Sequence, residues 1–349
     1  MTRLMLILAI LGFNITISAQ ASIQGMSVDR LEKISTMLED QIEQNRIPGA
    51  VALITRNGIP VYHEAFGVYK KSSIFRIASQ SKAITSTAVM ILWEEGRFRL
   101  DDPISKFIPE FKNPQVLESF NEVDSTYTSR DAEREITIRD LLTHQSGLGY
   151  GVIDGDERFR KIYKKAGITD LFTTEDISIG ESVKKLAKLP LHHDPGARFT
   201  YSEGLDVLGY FIEIVSGQPF DKFLKQEIFE PLGMEDTWFY LPEEKHERLV
   251  DVTHFKDGVW SKYPVTFYDT DYPKTGAKTF FSGGAGLSST PTDYAKFLNM
   301  YLSGGKVGTE RILSRTTIKT MMENQLIGES FGNQSHGLAF GLVNLSGLR

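Results

Sequence analysis

The chain of 349 residues contains no cysteine. This absence excludes disulfide bonds, a thiol nucleophile and a thiolate metal site. It also excludes the lipid-modified N-terminal cysteine of bacterial lipoproteins. The fold must therefore be stabilised by packing alone, and the composition, with 41% hydrophobic and 24% charged residues, is that of an ordinary globular protein.

Concentrated positive charge is also missing. The formal net charge is -6, and the lysines and arginines are scattered along the chain. Such a chain offers no basic face to a phosphate backbone, so we expect no nucleic-acid partner.

Two further kinds of site have no pattern in the sequence. The seven histidines contain no His-x3-His pair, and the adjacent His192 and His193 would point apart in an extended chain, so no metal site is predicted. The absence of a Gly-x-Ser-x-Gly motif argues against an α/β-hydrolase.

The N-terminal residues 1–21 have the pattern of a secretory signal peptide. They combine Arg3, an apolar stretch over 4–17, and small residues at Ala19 and Ala21. The apolar stretch of about 14 residues is shorter than the roughly 20 that span a bilayer, so no stable membrane anchor is predicted. We expect a secreted or periplasmic protein.

Local patterns predict a mixed fold. A helical stretch at 28–45 precedes two β-rich runs joined by Asn57-Gly58, a strong hairpin signal. Helical patterns then dominate from Ser79 to about residue 250, with almost no β pattern, and we interpret the polar, aperiodic stretch 114–134 as a long surface excursion.

Several helix ends are marked by residue type. Thr137 and Asp140 have the spacing of a capping box, and Thr290 precedes a proline as an N-cap would. The pair Gly304-Gly305 predicts where that later helix stops.

These elements predict an α/β (α+β) fold in two domains. An antiparallel sheet flanked by helices is built from both termini, over 22–78 and 280–349, and a mainly helical domain spans 79–279. Leu338, Phe340 and Leu342 alternate as in a last strand. Because that strand has no hairpin partner next to it in sequence, we expect the sheet to be incomplete at the C-terminus.

The segment "FRIASQSKAIT" places Lys82 at the head of a helix that carries no further charge until Glu94. A helix apolar around most of its circumference is buried on every side. Ser79 and Lys82 stand at i and i+3, so both side chains share one face at the helix N-terminus. Burial disfavours a charged ammonium, and an uncharged amine beside a hydroxyl can take its proton, which predicts Ser79 as nucleophile and Lys82 as base.

The Ser-x-x-Lys spacing alone is weak evidence. It recurs at Ser182 to Lys185 and at Ser303 to Lys306, but the first of these lies among other lysines and the second follows two glycines. Only the occurrence at Ser79 has a buried context. The competing interpretation is a lysine that extends from a core helix into solvent.

Tyr201 precedes a helix with an apolar stripe in "PGARFTYSEGLDVLGYFIEIVSG". A phenol at a helix start can face a cleft and carry a proton to a leaving group. Taken alone, a tyrosine in this position is more often a packing residue.

Six motifs together resemble the serine β-lactamase-related family, which includes class C β-lactamases, D-Ala-D-Ala peptidases and β-lactamase-like (family VIII) esterases. They occur in the family's order from about residue 30 to the end, and they are "FRIASQSKAIT", "GRFRLDDPISKFIPEF", "TIRDLLTHQSGL", "PGARFTYSEGLDVLGYFIEIVSGQPF", "PLGMEDTWF" and "GGAGLSSTPTDYAKF". The resemblance implies a β-lactamase/transpeptidase-like fold in which Ser79 is acylated, Lys82 is its base and Tyr201 relays a proton. It also implies substrate-binding positions at Glu203 and Gly147.

The chain departs from the family pattern at two places. Class C β-lactamases carry Tyr-x-Asn where this chain has Tyr201-Ser202-Glu203, and the form with Asp206 resembles the esterase-like branch more closely. A third motif is expected on an edge strand beyond the point where this chain stops. We interpret the literal Lys274-Thr275-Gly276 as a chance match, because it precedes "GGAGL" and lacks strand alternation.

These patterns predict an exported serine hydrolase that forms an acyl-serine intermediate on a small ester, amide or β-lactam. Its partner would be a small-molecule or peptidoglycan-derived substrate, and the chemistry requires no cofactor. The alternative is a non-catalytic ligand-binding or sensing remnant of the same fold that lacks the third motif.

Overall fold

A computed structural model describes residues 22–326, 335–338 and 340–343. The predicted signal peptide at 1–21 therefore lies outside the described residues. The chain divides between Val68 and Tyr69 into two compact units. The predicted sheet that joins 22–78 to 280–349 stays a prediction.

The first unit contains one long helix and two antiparallel strand pairs. Its elements are β1 (Ser22–Ile23), β2 (Met26–Ser27), α1 (Val28–Glu43), β3 (Gly49–Arg56) and β4 (Ile59–Gly67).

The predicted helix and hairpin of this unit are both confirmed. The hairpin of β3 and β4 turns at Asn57 and Gly58, whose φ angles of 54° and 75° are the left-handed values that this turn needs. α1 buries Leu31 against Val61 and Tyr62 of β4, which forms the small core of the unit.

The second unit holds the remaining elements. Its strands are β5 (Phe75–Arg76), β6 (Gln115–Phe120), β7 (Tyr127–Asp131), β8 (Thr253–Lys256), β9 (Val259–Lys262), β10 (Ser288–Ser289), β11 (Lys306–Val307) and β12 (Glu310–Arg311). Its α-helices are α2 (Ser81–Glu94), α3 (Ile138–Leu142), α4 (Glu157–Ala166), α5 (Ile179–Leu186), α6 (Gly204–Ser216), α7 (Phe220–Leu224), α8 (Glu230–Leu232), α9 (Pro291–Leu302) and α10 (Arg315–Met322). The strand pairs of this unit, within the described residues, are antiparallel and two-stranded, namely β5 with β10, β6 with β7, β8 with β9, and β11 with β12.

Helix α2 is the centre of the main core. Every residue from Ser81 to Leu92 is buried, as the absence of charge between Lys82 and Glu94 predicts. α6 packs against it with the buried Leu205, Leu208 and Ile212. The two helices therefore fix the residues at their N-terminal ends in rigid surroundings.

Three predicted helix ends are confirmed. Thr137 and Asp140 form the capping box of α3, and the Thr290 side chain accepts a hydrogen bond from the N–H of Asp293 at the start of α9. α9 ends at Leu302, before Gly304 and its neighbour adopt left-handed backbone angles.

Two predictions of local structure are wrong. β structure is not nearly absent over 79–250, because β6 and β7 form a hairpin within the predicted surface excursion, held partly by a 2.6 Å hydrogen bond between the hydroxyls of Ser119 and Thr128. Most of this hairpin faces solvent, so it lacks the apolar alternation of a half-buried strand. Near the C-terminus, the N–H of Gly337 donates to the carbonyl of Phe340, and His336 pairs with Gly341 in an isolated antiparallel bridge, so the described residues of 335–343 form no strand.

Candidate active site

Ser79 lies on a single 3-10 turn, Ala78–Gln80, that leads into α2. Ala78 has a φ angle of 42°, a left-handed value that costs energy for a residue other than glycine. The Ser79 side chain is exposed, whereas Lys82, one turn further, has only 6% of its surface exposed. The predicted nucleophile is thus open to solvent and the predicted base is not.

The Lys82 amine has three hydrogen-bond partners. Its Nζ lies 2.7 Å from the carbonyl oxygen of Gly284, 3.0 Å from the hydroxyl of Tyr150 and 3.2 Å from Oγ of Ser79. These three contacts fix the nitrogen beside the serine.

Tyr201 completes the predicted group of three residues. Its hydroxyl donates to Oγ of Ser79 over 2.6 Å, and Lys82 Nζ lies 4.7 Å from the centre of its ring. Tyr201 is 40% exposed, so its hydroxyl lies where a substrate could reach it. The structure therefore brings Ser79, Lys82 and Tyr201 together, although sequence places the tyrosine 119 residues after the lysine.

Tyr150 is the residue of this site that the sequence reasoning missed. It is 1% exposed, and burial together with the charge of Asp206 raises the pKa of its phenol well above the usual value. Its ring lies 5.4 Å from that of Tyr201. The only signal in the sequence is a tyrosine between glycines in "GLGYG", directly after the motif "TIRDLLTHQSGL".

His144 packs its ring against the ring of Tyr201. Its ring lies 4.7 Å from that of Tyr201, and its Nδ1 accepts a hydrogen bond from the N–H of Ser202, so its neutral ring carries the proton on Nε2. Burial, then the charge of Lys82, lowers the pKa of His144 well below 6.5. The imidazole is therefore an uncharged support for the tyrosine.

The segment "SGGAG" positions the carbonyl that Lys82 contacts. Oδ1 of Asp206 accepts hydrogen bonds from the hydroxyl of Ser282 at 2.6 Å and from the N–H of Gly284 at 3.2 Å. A Cβ on Gly283 would lie 2.3 Å from the carbonyl oxygen of Leu205 on α6. Only glycine allows this segment to approach α6 closely enough to present its carbonyl to the amine.

The two predicted substrate-binding residues are both buried. Glu203 is 3% exposed, and Gly147 has a φ angle of 81° and would place a Cβ 2.3 Å from the carbonyl oxygen of His193. Direct contact of either residue with a substrate stays a prediction.

Other motifs lie apart from this group. Lys185 and Lys306, of the two further Ser-x-x-Lys patterns, are exposed, as predicted. Residues 274–276 form part of a turn in which Lys274 pairs with Asp271 at 3.1 Å, so the literal Lys-Thr-Gly is not on a strand.

Neither a metal cluster nor a membrane span is found within the described ranges. No group of three or more histidine, aspartate or glutamate side chains there could hold a metal ion. In the same residues, no helix is both long and apolar enough to cross a bilayer.

Comparison with known proteins identifies the family. The sequence model described as Beta-lactamase matches residues 34–348. Among curated relatives, "Esterase EstB" of Burkholderia gladioli is 30% identical over 286 residues, covering 76% of this chain and 68% of that protein. A "Putative D-alanyl-D-alanine carboxypeptidase" of Escherichia coli (strain K12) is 26% identical over 369 residues, covering 95% of this chain and 80% of that protein.

The lengths of the relatives differ from that of this chain. It spans 68% of the esterase and 64% of two further curated relatives that are 32% identical to it. A solved structure, "EstCE1, a hydrolase with promiscuous acyltransferase activity", superposes with a TM-score of 0.73 at 24% identity, covering 91% of this chain and 84% of that one. This likeness confirms the predicted fold class, a mixed fold of helices and antiparallel strands.

These comparisons confirm the resemblance found in the six sequence motifs. They also confirm the predicted class of enzyme, a serine hydrolase of the β-lactamase-like type. The chain belongs to the Beta-lactamase family.

Proposed function

We propose that this protein is an exported hydrolase that forms an acyl ester on Ser79 and acts on small carboxylic esters. The observation that carries the proposal is the pair of contacts at Oγ of Ser79, to Tyr201 at 2.6 Å and to Lys82 at 3.2 Å. A hydroxyl held between a phenol and an amine is suited to lose a proton on one side and to return one on the other.

The first half of the reaction forms the acyl ester. Oγ of Ser79 attacks the ester carbonyl while Lys82 takes its proton, and a tetrahedral oxyanion forms. The N–H of Ser79 lies at the positive end of α2, where it can stabilise that oxyanion. When the oxyanion collapses, the bond to the alcohol breaks, Tyr201 gives the alcohol a proton, and Lys82 returns one to Tyr201.

The second half uses the same residues in reverse. A water molecule attacks the acyl carbon and gives a proton to Tyr201, which passes its own proton to Lys82. The bond from the acyl carbon to Oγ of Ser79 then breaks as Oγ regains a proton from this pair. The acid is released and all three side chains return to their starting states.

The esterase assignment has two supports. The residue at the position of the β-lactamase asparagine is Glu203, which is buried, and a curated relative at 30% identity is named an esterase. A peptidase acting on peptidoglycan-derived substrates is the neighbouring assignment, supported by the relative named a putative D-alanyl-D-alanine carboxypeptidase.

Covalent labelling tests the acyl-serine proposal directly. A fluorophosphonate probe should modify Ser79 in the wild type and leave Ser79→Ala unmodified, with the site read by mass spectrometry. Ser303→Ala, in a second Ser-x-x-Lys pattern whose lysine is exposed, is the matched control and should label like the wild type. A folded wild-type protein without an adduct would instead favour a non-catalytic binding protein.

Turnover assays define the substrate class. We expect hydrolysis of p-nitrophenyl butyrate to exceed that of nitrocefin, and replacement of Lys82 by alanine to lower kcat by about 10²- to 10⁴-fold, the usual contribution of a general base. Equal turnover of the two substrates would contradict the preference for esters.

Export is a separate part of the proposal and rests on residues 1–21. Expression in a bacterial host followed by N-terminal sequencing should find a chain that begins after this segment in the periplasmic fraction. An unprocessed chain retained in the cytoplasm would contradict it.

A further inference from the structure

The segment 149–152 is held by side chains along its whole length. Its four consecutive backbone N–H groups all donate to side-chain oxygens, which belong to Tyr163, Asp154 and, twice, Asp170. This segment carries Tyr150, the partner of Lys82. The side chains that hold the backbone of segment 149–152 therefore also help to position the amine of Lys82.

Asp170 makes the strongest of these contacts. Its two carboxylate oxygens accept the N–H groups of Gly151 and Val152 over 2.9 Å and 2.6 Å. Both oxygens of Asp170 therefore bind the backbone of this segment.

Glu203 lies against this carboxylate. Its Oε1 is buried and receives no hydrogen bond from the described residues, and Asp170 is the side chain that acts on it both as hydrogen-bond partner and as charge. The backbone N–H of Glu203 donates to the carbonyl of Gly149 over 3.0 Å. A hydrogen bond between two carboxyl groups needs one proton. Because Asp170 already accepts two backbone N–H groups and no donor in the described part of the chain reaches Oε1 of Glu203, we place that proton on Glu203.

The surroundings of Glu203 favour its neutral form. Its side chain is buried, and burial followed by the hydrogen bond and charge of Asp170 raises its pKa well above the usual range. Asp206 on α6 adds a further negative charge, and the phenols of Tyr150 and Tyr163 also face the group. The Lys82 amine is linked to this cluster by its hydrogen bond to the hydroxyl of Tyr150.

We infer that Glu203 is a positioning residue, which donates a hydrogen bond to Asp170 and thereby holds segment 149–152 so that Tyr150 contacts Lys82. The inference deepens the proposed function and rests on it, since it concerns the same site. Loss of the proton from Glu203 would place two carboxylates in contact, and their repulsion would displace the segment. A glutamine at this position keeps a donor for Asp170 and cannot ionise.

The experiment compares two substitutions at Glu203 with the same two at Glu213. The latter is a half-buried acid on α6 that accepts the N–H of Phe220 and does not belong to this cluster. We expect Glu203→Ala to lower kcat/KM for p-nitrophenyl butyrate by about tenfold or more, and Glu203→Gln to recover most of that loss. Glu213→Gln and Glu213→Ala should leave the activity within about threefold of the wild type.

Infrared spectroscopy gives a readout that does not depend on activity. The difference spectrum of wild type minus Glu203→Gln at neutral pH should contain the band of a protonated carboxylic acid. Glu203→Gln should also retain activity further into the alkaline range than the wild type, because its amide cannot lose a proton there.

Two results would overturn the inference. One is the absence of a protonated-acid band in the difference spectrum, and the other is a Glu203→Gln variant as impaired as Glu203→Ala. If Glu203→Ala does not fold, the infrared difference spectrum and the pH profile of Glu203→Gln still test the inference. A wild-type protein that carries the band but is not labelled at Ser79 would refute the proposed function while leaving the acid pair intact.

Discussion

Replacing Tyr150 with phenylalanine tests how Lys82 is held. The substitution keeps the ring and removes only the hydroxyl that lies 3.0 Å from Nζ of Lys82. The amine then keeps two partners, at 2.7 Å and 3.2 Å, in a position that is 6% exposed. Water has little access to take the place of the lost hydroxyl.

The size of the effect follows from the cost of losing that hydrogen bond. A bond to a charged group contributes about 1.5 to 3 kcal/mol, and the unmatched donor stays buried. If the loss falls on the transition state, kcat/KM decreases by about 10- to 100-fold. We expect most of the decrease in kcat, because Tyr150 contacts Lys82, the proposed base, and is itself 1% exposed.

Hydrolysis of p-nitrophenyl butyrate and the rate of fluorophosphonate labelling at Ser79 measure this change. The matched control is Tyr301→Phe, which removes a buried hydrogen bond of 2.7 Å to Thr87 on the same helix α2. Both variants should lose similar thermal stability, and only Tyr150→Phe should lose activity. A Tyr150→Phe variant within twofold of the wild type, or an equal loss in the control, would refute the reasoning.

Two further predictions concern the supports of the site. Gly283→Ala should lower the free energy of unfolding by about 1–3 kcal/mol and reduce activity, because the new Cβ would lie 2.3 Å from the carbonyl oxygen of Leu205. Gly155→Ala is the control, because a Cβ there would have no atom within 4 Å. Equal urea midpoints for the two variants would contradict the predicted clash at Gly283. His144 has a pKa held below 6.5, so the unfolded chain binds its proton first and stability should fall as the pH drops below about 6.5. His144→Asn, which suits the left-handed φ of 58°, should flatten that acid-side slope of the unfolding free energy, and an unchanged slope would count against a buried neutral imidazole.

The site separates exposure from burial in a way that suits its proposed chemistry. Ser79 and Tyr201 are open to solvent, whereas Lys82 and Tyr150 are enclosed by the core. A substrate can therefore reach the hydroxyl and the phenol but not the amine. This arrangement limits the role of Lys82 to proton transfer and positioning.

The sequence predicted roles for Ser79 and Lys82 because the residues around them form an unusual local pattern. The charge-free helix after Lys82 favoured a buried lysine over one that extends into solvent, and the order of six motifs identified the family. The Asn57-Gly58 turn and the capping box at Thr137 were equally local signals, and both are confirmed. Patterns of this kind depend on neighbours within about four residues, so the sequence displays them directly.

The supporting residues could not be found in the same way. Tyr150, Asp170 and Gly284 come from three segments far apart in sequence, and nothing in any one of them indicates contact with the others. Their roles depend on how α2 and α6 pack. The β6–β7 hairpin was missed for a related reason, since strands that face solvent carry no apolar alternation.

The sequence by itself therefore predicted the family, which the comparisons confirm, and it proposed Ser79 and Lys82 as nucleophile and base. Short-range spacing and the absence of charge along one helix are visible in the sequence alone. Only the tertiary structure decided that Tyr150 and Gly284 hold the amine, and that Glu203 faces Asp170 in the interior. The physical reason is that hydrogen bonds between distant segments depend on the three-dimensional path of the chain, which the packing of the helices fixes.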